Sequence, residues 1–195
     1  MDNYENKLEQ LEYSSNIHTY IYNGRIIPSV TQLVDKVLGN NYKNIPERIL
    51  KQASAKGTRM HECIEVLEEK GVLLDDEYGL EVVNYLRLMK EYELKALESE
   101  ALVLYADNDL EYAGRFDMLA LSRNGKLVLI DFKRTYKIDI KRVGLQLNLY
   151  AEAYKYTYGE DVDKLYCMHL REDKGEMIEI KRDKKIISKI SSLLQ

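Results

Sequence analysis

Gly114-Arg115-Phe116-Asp117-Met118-Leu119, then Arg123-Asn124-Gly125-Lys126, then Leu127-Val128-Leu129-Ile130-Asp131-Phe132-Lys133: this stretch decides the fold. Asn-Gly between apolar runs is a strong hairpin signal, because the tight turn needs positive φ. A turn centred on residue 124 sets Asp117 opposite Asp131. Side chains two apart in a strand share a face. Asp131 and Lys133 therefore point one way, and Ile130 and Phe132 the other. An ion pair at a strand end would account for Asp131 and Lys133 alone. Asp117 beside Asp131 adds like-charge repulsion, which a cation or a shared proton relieves. Two solvated surface carboxylates are the plainer alternative. Gly114 weighs against it, since a strand glycine permits close approach of another chain or a ligand.

Outward from this hairpin the period of the apolar residues changes. Residues 100–106 and 110–121 read as strands joined by Ala106-Asp107-Asn108-Asp109, so the hairpin belongs to a three-stranded meander. Residues 143–158 read as a helix, 163–170 and 176–181 as strands around Asp173-Lys174-Gly175, and 184–194 as a closing helix. Upstream, Ser29 is a plausible N-cap and Gly39 a stop for a helix carrying Val30, Leu33, Val34 and Val37. A second helix runs from Pro46 to Lys70 before Gly71, with Gly57 as a break or close packing point. A third covers Gly79–Leu97, and the segment 71–97 is a candidate lid. Helices, a meander, a helix and two strands make an α/β chain: a central mixed sheet flanked by helices, with an N-terminal helical region. The expected division is one domain over 1–195. Its polar start (1–25) is poorly ordered, 26–98 is mainly helical, 99–182 is the sheet core and 183–195 the C-terminal helix.

Composition narrows the function classes. The chain has 195 residues and a formal charge of −4. Two cysteines, Cys63 and Cys167, exclude a disulfide scaffold and a cysteine-built zinc module, and both read as small buried hydrophobes. Without a run of about 18 apolar residues or a signal-peptide pattern, a cytoplasmic protein with no membrane partner is expected. The net charge hides a division. Residues 61–120 carry 5 basic and 16 acidic side chains, whereas 121–195 carry 16 basic and 11 acidic. The acidic block holds Glu100 and Asp117; the basic one holds Lys133, Arg134, Lys137, Lys141 and Arg142, a strip able to face phosphate.

His61, one helical turn before Glu65, could ligate a metal or contact phosphate, although a lone helical histidine is more often a surface or core residue. His18 and His169 gain no such support. Gln146 and Tyr150, four apart, share a helix face and could contact a nucleic acid or simply cap and pack.

The ordered set His61, Glu100, Gly114-Arg115-Phe116-Asp117, Asp131-Phe132-Lys133 and Gln146-Leu147-Asn148-Leu149-Tyr150 resembles the PD-(D/E)XK nucleases, in particular the RecB-like branch. Pro28–Thr31 and Gly57–Glu62 are similar to the N-terminal part of phage and mitochondrial exonucleases of that branch. The resemblance implies a restriction-endonuclease-like core and a DNA partner. It implies Mg²⁺ or Mn²⁺, as one or two ions, held by Asp117, Asp131, the Phe132 carbonyl and His61. Glu100 would lie near that site, and Lys133 would position water and offset phosphate charge. Gln146 and Tyr150 would contact DNA, with Arg115, Arg134, Lys137 and Arg142 as further backbone contacts. The branch members with an iron–sulfur cluster use four cysteines, so no such cluster is expected. The implied reaction is exonucleolytic hydrolysis leaving 5′-phosphate ends, in phage recombination or DNA repair. A single-strand annealing or binding protein would be the protein partner, and a mitochondrial setting is disfavoured without a transit peptide. The alternatives are a non-catalytic binding relative and a hydrolase of a small phosphate ester.

Overall fold

A computed structural model describes residues 5–14, 19–39, 45–107 and 110–194. His18 and two residues of the first expected meander turn, Asn108 and Asp109, lie outside them.

A short helix α1 (Glu5–Glu9) leads into three short strands, β1 (Leu11–Ser14), β2 (Thr19–Tyr22) and β3 (Arg25–Ile27), which form an antiparallel sheet. Within the polar start, the described residues 5–14 and 19–25 thus form helix, strand and turn. Alternation explains it: Leu11 and Tyr20 turn inward with Ile27 and pack on Leu104 and Ala113 of the larger sheet.

Helix α2 (Val30–Leu38) begins at a capping box: Gln32 N donates to Ser29 Oγ at 3.1 Å, and Ser29 N to Gln32 Oε1 at 2.8 Å. Helix α3 (Glu47–Lys70) runs unbroken through Gly57 and stops at Gly71, whose φ of 67° suits glycine. Nothing lies within 4 Å of a Cβ built on Gly57, so it is neither a break nor a packing point. A 3₁₀ turn at Asp76–Tyr78 leads to α4 (Gly79–Glu91). That helix ends six residues before the expected boundary at Leu97. Strand β4 (Leu94–Asp107) starts instead, because Leu94, Lys95 and Ala96 pair with Ser122, Leu121 and Ala120. Helix α4 is no lid: Val82, Tyr85, Leu88 and Met89 are buried in the core on one face of the sheet.

The remaining elements are β5 (Leu110–Ser122), β6 (Leu127–Lys133), α5 (Ile140–Tyr158), β7 (Lys164–Leu170), β8 (Gly175–Ile180) and α6 (Ile186–Leu194). Helix α5 starts three residues earlier than its apolar periodicity suggests, because the Asp139 side chain accepts from the amides of Lys141 and Arg142. The large sheet has the order β4-β5-β6-β7-β8, antiparallel except for the β6–β7 pair. Helix α5 makes the crossover that parallel pair requires. One core cluster gathers α2, α5 and α6 on one face of the sheet, and another gathers α3 and α4 on the opposite face. This is the restriction-endonuclease-like architecture: a mixed sheet with helices on both sides. None of the described helices is long and apolar enough to cross a membrane.

Gly114 sits where α5 and α2 press on the sheet. A Cβ there would lie 2.6 Å from Tyr150 Cε1 and 3.0 Å from Val30 Cγ2. The close approach that this strand glycine allows is therefore made by the chain's own core. Gly114→Ala is expected to cost about 1–3 kcal/mol through overpacking. Gly57→Ala should gain about 0.5–1 kcal/mol by favouring the helix. Urea midpoints of the two variants, shifted in opposite directions, check the pair.

Candidate metal centre

The β5–β6 register pairs Met118 with Ile130, and one further step along it sets Asp117 beside Asp131. Asp117 Oδ2 accepts the Phe132 amide at 2.6 Å, a charge-assisted bond that fixes the carboxylate. Its other oxygen, Oδ1, lies 3.6 Å from His61 Nδ1. Glu100 Oε1 lies 3.7 Å from the same nitrogen.

Helix α3 carries His61 onto Phe132, whose ring it meets edge-on with centroids 5.6 Å apart. His61 Nε2 lies 3.2 Å from the Phe132 carbonyl oxygen. With Nε2–H donating to that carbonyl, Nδ1 is aimed at the two carboxylates. A histidine that binds metal is commonly oriented in this way by a backbone carbonyl on its second nitrogen. One ligand atom each from His61, Glu100 and Asp117 lie within 4.8 Å of one another.

Glu100 reaches this point through a left-handed backbone, φ 52°, in the middle of β4. For a residue with a Cβ such a conformation costs on the order of 1–3 kcal/mol and persists only when the surroundings enforce it. Arg115 Nε holds the second oxygen of Glu100 at 2.7 Å, and the Arg115 guanidinium lies 5.4 Å from the Tyr13 ring centre.

Asp131 is 1% exposed, and Lys133 Nζ lies 2.7 and 2.6 Å from its two oxygens. Burial raises the Asp131 carboxyl to about 6, against the pull of Lys133. Burial also works against the Lys133 ammonium, but the Asp131 and Asp117 carboxylates outweigh it and raise its pKa. The expected metal set is therefore brought together in part. His61, Asp117 and Glu100 converge, while Asp131 is paired with Lys133 and the Phe132 carbonyl faces the histidine.

The cluster opens on a cleft of about 620 Å³ lined also by Tyr13, Tyr20, Thr31, Glu65 and Tyr150. Lys133 and Gln146 line an adjoining cavity of about 360 Å³ with Thr31, Lys137 and Arg142. Gln146 lines that cavity, while Tyr150 packs on Gly114 and burial pushes its phenol well above the ordinary range. Their shared face is thus occupied by packing as well as directed to the site. Tyr13 and Tyr20 escaped the sequence reading because their strands are short; the alternation around them was the available signal.

The basic candidates differ in what holds them. Arg134 bonds the fully buried Glu81 at 2.7 Å and Glu172 at 3.0 Å, so its guanidinium neutralises a core charge rather than waiting for a backbone phosphate. Arg142 is bound to Asp35 and the Gly39 carbonyl. Lys137 is exposed. His169 is buried, with Nε2 2.6 Å from the Thr135 carbonyl oxygen, and Cys63 and Cys167 are buried free thiols.

No family model and no curated protein matches the chain. Several solved structures are similar to it at low identity. The protein SSO0001 is 17% identical, with a TM-score of 0.46 over 85% of this chain and 71% of that one. A candidate exonuclease from Eubacterium rectale is 9% identical, with a TM-score of 0.49 over 86% of this chain and 77% of that one. The alkaline exonuclease of Laribacter hongkongensis is 14% identical, with a TM-score of 0.44 over 86% and 84%. What this chain does is read from its own side chains.

Burial opposes the His61 imidazolium, but Asp117 and Glu100 outweigh it and raise the pKa to about 9. With a folded pKa above the ordinary 6.5, the stabilisation is complete below pH 6.5 and lost as pH rises through about 9. In metal-free protein the His61 ring is expected to titrate near pH 9 by NMR, and Asp117→Asn to bring it back toward 6.5. An ordinary titration in the unsubstituted protein would show that the carboxylates do not act on the ring.

Proposed function

We propose that the chain is a divalent-metal-dependent DNA nuclease of the PD-(D/E)XK type, in its RecB-like branch. On this reading it is an exonuclease that leaves 5′-phosphate ends and works in phage recombination or DNA repair. One observation carries it: His61 Nδ1, Glu100 and Asp117 converge within 4.8 Å. The buried Asp131–Lys133 pair stands on the neighbouring strand positions. Two carboxylates and an imidazole fit a hard cation such as Mg²⁺ or Mn²⁺, and the Phe132 carbonyl already sets the ring for it. His61, Glu100 and Asp117 would hold the ion. When bound, it supplies Lewis-acid charge for a phosphoryl oxygen and the acidity that makes water a nucleophile at neutral pH.

The chain's own groups do the rest. Lys133, kept protonated by two carboxylates, offers positive charge at Nζ where phosphate charge develops. Asp131 holds that ammonium in place. Arg115 steadies Glu100, and the Phe132 amide steadies Asp117. Glu62 and Glu65 line the same cleft, so a phosphate is repelled until a cation offsets them. Lys137, with Lys133 on the wall of the adjoining cavity, supplies the basic flank for the DNA backbone. A purely binding module would gain nothing from carboxylates that repel phosphate. A single-strand annealing or binding protein fits the same setting as a partner.

Asp117→Asn and Lys133→Ala are each expected to lower Mg²⁺-dependent cleavage of DNA by about 10²–10⁴-fold, and chelator to abolish it. Linear, circular and single-stranded DNA run on one gel check this. Degradation of linear DNA with closed circles spared supports an exonuclease, whereas full activity in both variants overturns the site.

A further inference from the structure

The segment between β6 and α5, which follows directly on Lys133, carries an exposed aromatic ring. Tyr136 is 88% exposed, the most exposed of the large apolar or aromatic side chains among the described residues. It stands three residues after Lys133, and its neighbours Thr135 and Lys137 both line the cavity that Lys133 and Gln146 share.

The ring is exposed on a segment that is tied down. His169 Nε2 meets the Thr135 carbonyl at 2.6 Å, the Thr135 hydroxyl donates to the Lys137 carbonyl at 3.1 Å, and Arg171 reaches the Tyr136 carbonyl at 3.5 Å. His169 comes from the buried β7, which anchors these contacts in the sheet. The Arg171 guanidinium lies 5.1 Å from the Tyr136 ring centre, and its Nε is held by Asp173 at 3.2 Å. Arg171 therefore backs the ring, while its exposure leaves room for a flat partner. A tyrosine has few rotatable bonds, so holding it in place costs little entropy on binding.

We propose that Tyr136, backed by Arg171, is a stacking platform for an unpaired nucleobase of the strand that enters the site. This rests on the nuclease reading for the identity of the strand. Every base has a π face, so such a platform is indifferent to sequence. Paired bases inside a duplex do not present that face, so it favours single strands or frayed ends. Lys137, next in the chain, meets the accompanying phosphate.

The test is fluorescence anisotropy with the full chain and Ca²⁺ as the cation, strand integrity being confirmed on a gel. The ligands are oligothymidylate, the same strand with abasic positions, and a blunt duplex. Tyr136→Ala and Tyr136→Leu are expected to bind the intact single strand about tenfold more weakly, the loss of one stacked base. Tyr136→Phe, which keeps the ring, should bind like the unsubstituted protein, as should all variants toward duplex. Abasic substitution should weaken the unsubstituted protein and remove its advantage over Tyr136→Ala. Equal affinity of Tyr136→Ala and the unsubstituted protein for the intact strand, or no binding by either, overturns the platform. Cleavage with Mg²⁺ or Mn²⁺ is scored separately. A stacking effect without cleavage would leave the platform standing and remove the nuclease reading; cleavage without a stacking effect would do the reverse.

Discussion

The bond from the Phe132 amide to Asp117 Oδ2, 2.6 Å long, joins the two strands on which the site depends. The backbone ladder between β5 and β6 extends to Met118 and Ile130, and just beyond it a carboxylate takes over as acceptor. An ionised acceptor makes a stronger bond than a carbonyl does. It also places a negative charge beside Asp131 and within reach of His61. A one-residue slip of this register would turn Asp131 toward Met118 and Tyr85 and bury Ile130's neighbours on the wrong face. The apolar demands of both sheet faces therefore protect the placement of the charges.

Around that bond the charges are balanced in pairs and chains. Lys133 answers Asp131, Arg115 answers Glu100, and His61 stands between Glu100 and Asp117. Each buried charge taken alone would be costly; with a partner it is tolerated, and removal of one member would leave the other stranded. The left-handed φ of Glu100 adds local strain at the same place. The layer around it is closely packed: Tyr150 and Val30 press on Gly114, and α5 is fastened by Tyr112 Oη to the Leu149 carbonyl and by Thr157 to Leu104. A rigid layer thus sustains a site that by itself is unfavourable, the usual relation between core and function.

Much of this was legible in the residue order. The Asn124-Gly125 turn yields the register, the alternation after Leu127 yields the faces, and the 3.6-residue period yields α2, α3 and α5. The failures have separate causes. Leu94 to Ala96 fit a helix by period, yet pairing with β5 holds them in the sheet. Strands β1 to β3 are too short to announce themselves, and they exist because Leu104 and Ala113 give them a surface to cover. Arg134 reads as a surface cation in sequence, but a fully buried Glu81, 53 positions earlier, claims it.

The sequence by itself determined which acidic residues face each other, because turn chemistry and a two-residue period are local properties. It also determined that His61 lies on a helix and that Lys133 shares a face with Asp131. Only the tertiary structure decided which of these groups converge. Helix α3 had to land on Phe132 before His61 could turn Nδ1 toward Glu100 and Asp117, and Glu100 had to adopt a backbone no local preference supplies. It also decided that Asp131 serves Lys133, and that Tyr136 stands in solvent against Arg171. Contacts between residues far apart in the chain depend on how layers dock, and that docking is set by the packing of the whole core rather than by any one segment.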